Sequence, residues 1–224
     1  MISIAELSKG CQAYWDQEPR DAMYRVAIDL VTERWSHDAG DVADGLGVIL
    51  LTWNHAAYRY DAFDFAKLEE FLRVNRADLD TFRKRSITSF QLNDSQPVKA
   101  MFGKTTDALL TTKSKKRSPV GVAKALHIIA PQFFPLWDVA IAAGCNCSWS
   151  KKKDAASQYI EFFKYAQAAS AALEAEYRAR SPAAAKLPDA PDLASALSVL
   201  CRRPKSLLKF IDEYCFAKYT KKWI

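Results

Sequence analysis

The sequence contains no apolar run of 18 residues, the length that a membrane-spanning helix needs. The apolar stretch at 45–53 is too short to cross a bilayer. The first residues include Glu6 and lack the basic-then-apolar order of a secretory signal peptide. No internal repeat is present, and no alternation of apolar and polar residues is long enough to indicate a β-strand. We therefore expect a cytoplasmic, monomeric protein that does not contact a membrane.

Cysteine is scarce and irregularly spaced. The chain has five cysteines, an odd number that is typical of reduced intracellular thiols. Cys145 and Cys147 stand too close together for a common zinc knuckle, and no second pair or histidine partner follows them. A structural zinc site needs four well-spaced ligands. We therefore expect neither a metal ion nor another cofactor.

Charge is distributed unevenly along the 224 residues. Residues 1–80 hold 8 Lys and Arg against 15 Asp and Glu, a balance of −7, whereas residues 81–224 hold 24 against 11, a balance of +13. Each basic cluster by itself is typical of a solvated surface. Together, on a helical fold, they could form a face that follows a phosphate backbone. The clusters lie at 113–117, 151–153, 202–205 and 218–222.

Helical spacing of apolar residues predicts an all-α fold, with residues 1–224 forming one domain. A break is predicted at Gly40–Gly47, and the prolines of Ser181–Asp192 indicate a linker or an extended crossover. The predicted helices cover roughly 20–35, 46–58, 65–74, 77–85, 97–110, 153–179 and 204–219.

The strongest local signal for a helix begins at Ser118. A serine hydroxyl at the N-cap can accept a hydrogen bond from a first-turn N–H, and Pro119 suits the first helical position. Pro131 marks the end, because the residue before a proline is disfavoured in a helix. Helix N-termini favour phosphate groups, and four cationic residues immediately before this one strengthen that interpretation. They are Lys113, Lys115, Lys116 and Arg117.

Asp138 follows a stiff turn of two prolines and three aromatic residues, and it precedes a short apolar helix at 139–143. One interpretation of Asp138 is an N-cap. The other is a catalytic carboxylate that a rigid element delivers into a cleft, and one residue can do both. Gly144 fits the position after the short helix.

A second group of candidate residues lies at 50–60. Asn54 and Tyr58 are four residues apart on one helical face, with Trp53 beside them. An aromatic surface with an amide suits a pocket for an extruded base, which needs stacking and hydrogen bonds to its edge. The alternative is that the aromatic residues belong to the core and that Asn54 satisfies backbone groups. Trp137 is a further candidate for this pocket.

His127 is three residues after Lys124, so the two share a face of the predicted helix. This placement makes His127 another candidate for the pocket. A histidine packed in the interior of the helix is the alternative interpretation.

Residues 118–144 resemble the helix-hairpin-helix DNA glycosylases. In that family a hairpin of the form LPGVGxKTA grips DNA phosphates, and an aspartate in a following motif carries out the chemistry. In this chain Gly121 of SPVGVAK matches a hairpin glycine, and Lys124 lies where bifunctional members carry a Schiff-base lysine. Asp138 of PLWDVAI matches the aspartate. The resemblance is looser over 40–145.

The chain departs from the family pattern in three ways. Val122 or Ala123 replaces the second hairpin glycine, the stretch from Lys124 to Asp138 is shorter than usual, and no four-cysteine cluster follows. The last departure excludes the iron–sulfur branch. The resemblance implies a two-lobed helical bundle with a helix-hairpin-helix-like element. One lobe would cover roughly 30–145 and the other 1–29 with 146–224.

These observations lead to the hypothesis of a DNA glycosylase that excises a damaged or modified base flipped out of duplex DNA. Its role would be in DNA repair or in defence against modified phage DNA. The resemblance makes Asp138 the catalytic carboxylate. Lys124 is then either a nucleophile that adds AP lyase activity or a contact to phosphate or pocket. Two alternatives stay open: a non-catalytic helical module that binds nucleic acid, and a helical scaffold whose basic face binds a protein.

Overall fold

The computed structural model describes residues 2–179 and 187–224, and the fold within them is all-α. One isolated antiparallel bridge joins Phe63 to Thr111. The chain turns through short 3₁₀ segments near residue 90 and ends in a π-helical turn at Phe216–Thr220. The α-helices are α1 Ile4–Gln17, α2 Ala22–Arg34, α3 Ala39–Trp53, α4 His55–Tyr58, α5 Phe65–Val74, α6 Arg76–Arg83, α7 Ser95–Ala108, α8 Pro119–Ile129, α9 Val139–Gly144, α10 Ala155–Ala179, α11 Leu193–Cys201 and α12 Leu207–Cys215.

Helix α8 lies largely in the core of the fold. It packs against α2, α3 and α7, and every residue from Gly121 to Ile129 is buried except Lys124, which is partly exposed. An apolar helix with no polar face needs neighbours on all sides, and the apolar residues of α8 fit that requirement. Lys124 is therefore the one charged side chain on a helix that otherwise belongs to the core.

The first and last parts of the chain meet at the crossing of α1 and α12. Gly10 makes this crossing close, since a Cβ atom added there would lie 2.9 Å from the Cα atom of Tyr214. The π-helical turn after α12 packs against α9. At that contact a Cβ atom on Gly144 would lie 2.4 Å from the Tyr219 ring. Gly144 is the last residue of α9 rather than the residue after it, and Asn146 has the positive φ of 57° that follows the helix end.

Most of the predicted helices are confirmed, and the one over 65–74 matches α5 at both ends. The break predicted at Gly40–Gly47 is wrong. Helix α3 begins at Ala39, because the Asp38 carboxylate caps it by accepting a hydrogen bond from Gly40 N at 3.1 Å. Helices α1 and α11 had not been predicted.

Part of the predicted linker Ser181–Asp192 lies outside the described residues, and Asp192 itself is the N-cap of α11. The division into two lobes and the helix-hairpin-helix element stay predictions. Among the helices described, none combines the length and the apolar character that crossing a membrane requires.

Candidate active site

The start of α8 is held by the cap that the sequence predicted. Ser118 is the N-cap, and its Oγ accepts a hydrogen bond from Gly121 N at 3.1 Å. Asn54 Nδ2 donates a second hydrogen bond to the same Oγ at 2.8 Å. The Ser118 hydroxyl oxygen therefore accepts two hydrogen bonds from the protein, and the one from Asn54 joins the start of α8 to the end of α3.

Gly121 permits this close contact. A Cβ atom at residue 121 would lie 2.6 Å from the Tyr58 hydroxyl oxygen and 2.9 Å from Asn54 Nδ2. Tyr58 is 2% exposed and its ring meets Phe63 edge to face. Asn54 and Tyr58 thus pack the N-terminus of α8, and neither lines the cavity described next. Their place corresponds to the alternative interpretation, a core aromatic residue and an amide that satisfies its neighbours.

A cavity of about 550 Å³ lies between the turn from α1 to α2, the end of α3, α8 and α12. This volume falls within the range of about 300–1,000 Å³ that is typical of sites for small ligands. Lys124 and Asp138 both line it, as do Trp53 and Trp137. Four of the residues predicted from the sequence for one site therefore meet at one cavity. The other aromatic residues at its wall are Tyr14 and Phe216.

The side chain of Lys124 is held at the cavity by a backbone group. Its Nζ donates a hydrogen bond to the carbonyl oxygen of Trp53 at 2.6 Å. Burial lowers the pKa of Lys124 to about 8, against the opposing influence of the Asp212 and Asp138 carboxylates. A lysine with this pKa supplies much more neutral amine near pH 7 than an ordinary lysine does. Neutral amine is the nucleophilic form.

Asp138 is positioned through both of its carboxylate oxygens. Oδ1 accepts from Ile141 N at 2.7 Å, which confirms Asp138 as the N-cap of α9. Oδ2 accepts from Thr220 Oγ1 at 2.7 Å, in the π-helical turn that follows α12. The carboxylate is thus fixed by two elements far apart in the sequence, and it lies at the wall of the cavity.

A buried cluster of charged residues, which sequence reasoning missed, lies directly behind the cavity. Lys205 Nζ is 2.9 Å from Asp21 Oδ2 and 2.5 Å from Glu213 Oε1. Lys209 Nζ is 3.2 Å from Asp212 Oδ2 and 3.5 Å from Glu213 Oε1. Asp21 and Asp212 also line the cavity.

Lys209 anchors this cluster to the aromatic wall. Its side chain is fully buried, and its Nζ lies 4.5 Å from the centre of the Tyr14 ring and 5.1 Å from that of Trp53. Opposite charges and ring faces compensate for the loss of water around a buried ammonium. Lys205, Lys209 and Glu213 follow one another at four-residue spacing, and this was the signal available in the sequence. Asp21 gave no such signal, because it lies far from α12 in the chain.

His127 is fully buried and does not line the cavity. Its Nδ1 lies 2.7 Å from the carbonyl oxygen of Phe134, and its Nε2 lies 2.9 Å from the Tyr24 hydroxyl. The carbonyl can only accept, so Nδ1 donates to it and Nε2 accepts from Tyr24. Burial lowers the pKa of His127 to about 3. His127 is thus a neutral residue of the core, as the alternative interpretation had it.

The basic residues before α8 are exposed on the loop between α7 and α8. Within the described residues none of their side chains forms an ion pair. The Asp61 carboxylate holds this loop in place, because it accepts hydrogen bonds from Lys113 N at 2.9 Å and from Ser114 N at 2.6 Å. These hydrogen bonds, led by those from Ser114, lower the pKa of Asp61. The loop therefore carries exposed cationic side chains without ion-pair partners, and hydrogen bonds to Asp61 hold its backbone in place.

Comparison of the chain with models of protein families, with curated proteins and with solved structures gives no match.

Proposed function

We propose that this protein is a DNA N-glycosylase that releases a damaged or modified base from duplex DNA. The observation that carries the proposal is that Lys124 and Asp138 line one aromatic-walled cavity. The lysine lies on α8, whose other residues from Gly121 to Ile129 are buried, and the carboxylate is fixed by two hydrogen bonds. An amine of lowered pKa and a positioned carboxylate are the groups that cleavage of an N-glycosidic bond can use.

Cleavage of that bond builds positive charge on the deoxyribose as the base departs. The Asp138 carboxylate would stabilise this charge electrostatically, and its fixed position means that no reorganisation is needed during the reaction. The attacking group is either a water molecule or the neutral amine of Lys124. If the neutral amine attacks the C1′ carbon, the bond from C1′ to the base breaks, and the base leaves with the bonding electrons and takes one proton of the amine. The C1′–O4′ bond of the sugar ring then breaks, the second proton passes to O4′, and the opened sugar is bound to Lys124 through a Schiff base.

The base must leave the duplex before the reaction can occur, which costs a few kcal/mol. The partly exposed ring of Trp53 at the cavity would recover part of this cost through stacking. The unpaired cations of the loop before α8 would bind the DNA phosphates. Such contacts release counterions from the DNA, and this release favours binding. The enzyme would serve in DNA repair or in defence against modified phage DNA.

The test is mass spectrometry of free bases after incubation with DNA. Substrates would be duplexes that carry single oxidised, alkylated or deaminated bases, together with heavily modified phage DNA. We expect wild-type protein to release a base from at least one of them. The Asp138→Asn variant should release it at least about 100-fold more slowly, the effect of losing one preorganised electrostatic group, while binding the DNA equally well.

Asparagine also caps helices, so this variant keeps α9 in place. Asp192→Asn is the matched control, because Asp192 caps α11 through a 2.7 Å hydrogen bond from Ser195 N and does not line the cavity. Equal rates for Asp138→Asn and wild type would refute the proposal. Salt-dependent DNA binding without release of any base would instead identify a non-catalytic nucleic-acid-binding module.

The same reactions carried out with borohydride identify the attacking group. A covalent DNA adduct that forms with wild type and not with Lys124→Gln assigns the attack to the Lys124 amine. Base release without an adduct assigns it to water.

A further inference from the structure

Among the carboxylates at the cavity that are largely shielded from solvent, Asp212 is the one with an oxygen that accepts no hydrogen bond from a described residue. Both oxygens of Asp138 accept hydrogen bonds. Asp21 Oδ1 accepts from the Tyr14 hydroxyl at 3.0 Å, and its Oδ2 is paired with Lys205. Asp212 Oδ2 accepts from Lys209 Nζ at 3.2 Å, but Oδ1 has no hydrogen bond from any described residue. Glu18 also lines the cavity, but it is exposed to solvent.

The free oxygen of Asp212 belongs to a side chain that is almost enclosed. The side chain is 12% exposed, and the residue lines the cavity. Its place is fixed by Lys209, which is itself fully buried against Tyr14 and Trp53. A ligand that fills the cavity removes the remaining water from this oxygen. A buried acceptor left without a donor is costly, so the ligand must supply a donor in place of that water.

We propose that Asp212 recognises the extruded base, by accepting a hydrogen bond from a ring N–H on its Watson–Crick edge, and that the substrates are bases with a lactam N–H. This inference rests on the glycosylase function proposed above and specifies its substrate class. Oxidised guanine, hypoxanthine and uracil carry such an N–H. Unsubstituted purine and 1,N6-ethenoadenine do not.

The chemistry of the carboxylate makes this selection strong. An ionised carboxylate can only accept hydrogen bonds, and its bond to an N–H is stronger than one between neutral groups. Sites built to hydrogen-bond one substrate group reject analogues that lack it by large factors, because the protein group is then buried unpaired. A base that offers only acceptors would place its own lone pairs against Asp212.

The test measures base release from matched duplexes that carry one hypoxanthine, uracil, 8-oxoguanine, purine or 1,N6-ethenoadenine. We expect wild type to release the best lactam base at least about 100-fold faster than either base without the N–H. Asp212→Asn should reduce this ratio at least tenfold by slowing release of the lactam base. Asp192→Asn is the matched control, because Asp192 caps α11 and does not line the cavity, and it should leave the ratio unchanged.

A pH series adds a measurement that a purely structural role would not affect. Burial raises the pKa of Asp212 to about 6, although Lys209 opposes the shift. Asp138 and Glu213 raise this pKa further, and the cation of Lys124 also acts on Asp212. Asp212 is ionised above pH 6 and protonated below it. We therefore expect the preference for the lactam base to be smaller at pH 5.5 than at pH 7.5 in wild type, and not in Asp212→Asn.

The possible results separate this inference from the function on which it rests. Release of purine or 1,N6-ethenoadenine as fast as the lactam bases overturns the role of Asp212 and leaves the glycosylase function standing. The same conclusion follows if Asp212→Asn shows the wild-type ratio of release rates between lactam bases and bases without the N–H. If that variant does not fold, the wild-type ratio alone decides. Release of no base from any duplex overturns both proposals.

Discussion

Gly10 and Gly103 are both helical glycines, but their surroundings are opposite. A Cβ atom on Gly10 would lie 2.9 Å from the backbone of α12, whereas one on Gly103 would have no heavy atom within 4 Å. We expect Gly10→Ala to lower the free energy of unfolding by about 1–3 kcal/mol, because a backbone cannot easily move aside.

Gly103→Ala is the control, and it should raise the free energy of unfolding by about 0.5–1 kcal/mol because alanine favours a helix. Urea unfolding measures both changes. A stabilised Gly10→Ala variant would mean that α1 and α12 lie farther apart than the structure shows.

At the scale of residues, the sequence predicted the groups whose roles depend on their neighbours in the chain. Ser118 and Asp138 were predicted as caps because a cap acts on an N–H only three residues away. Asp212 was missed because its role depends on Lys209 being buried and on a cavity formed by distant segments. No local pattern distinguishes a buried aspartate on an amphipathic helix from an exposed one.

Among the connecting elements, the loop between α7 and α8 forms most of its side-chain hydrogen bonds with Asp61, and Thr111 adds two more. The Asp61 carboxylate accepts hydrogen bonds from two backbone N–H groups of the loop and from the hydroxyls of Thr112 and Ser114. Asp61→Ala should therefore free the loop while leaving the helical content unchanged. Trypsin should then cleave after the lysines and the arginine of 113–117 several-fold faster than in wild type. Mass spectrometry of the fragments measures this rate.

Asp107→Ala provides the comparison for this experiment, since Asp107 is exposed on α7 and forms no ion pair with a described residue. If Asp61→Ala is cleaved no faster than Asp107→Ala, Asp61 does not order the loop. The loop would then owe its conformation to other contacts, such as the hydrogen bond from Thr112 N to Ala62 O.

At the scale of elements, the sequence predicted most helices with clear apolar spacing, and the break placed in α3 was wrong because glycine obscured that spacing. Helix α3 contains Gly40, Gly45 and Gly47, which together indicated a break. The structure uses two of them for packing instead, because a Cβ atom on Gly45 would lie 2.9 Å from Val31 and one on Gly47 would lie 2.8 Å from Phe65. Tertiary contact thus outweighed the low helix propensity of glycine.

For the molecule as a whole, His127 ties stability to pH. Its pKa is about 3 in the folded protein and 6.5 when unperturbed, so the unfolded chain binds a proton first as the pH falls. The stability that neutral His127 contributes is complete above pH 6.5 and is progressively lost below it. Asp212, whose pKa is raised to about 6, acts in the opposite direction, because the folded protein takes up its proton first.

His127→Gln separates the two effects, because it removes the pH dependence of stability that is due to His127 and keeps the one that is due to Asp212. We expect the variant to be less stable than wild type at pH 7.5, and this difference should shrink by about 2 kcal/mol between pH 6.5 and pH 5. Urea unfolding at a series of pH values measures the difference. A gap that stays constant over this range would show that His127 has the same pKa in the folded and the unfolded protein.

The double role of Asp138 has a consequence for how related sequences are to be interpreted. This carboxylate caps α9 and accepts a hydrogen bond from Thr220, so selection for a stable fold would retain it with or without the proposed activity. Lys124 is different, because its burial on α8 disfavours the charged amine, which only the Trp53 carbonyl and the Asp212 and Asp138 carboxylates offset. The stability of the fold alone gives little reason to keep a lysine there. Under the proposed function, the lysine is therefore the better marker of the activity among related sequences, and an apolar residue in its place would mark a relative that lacks the amine.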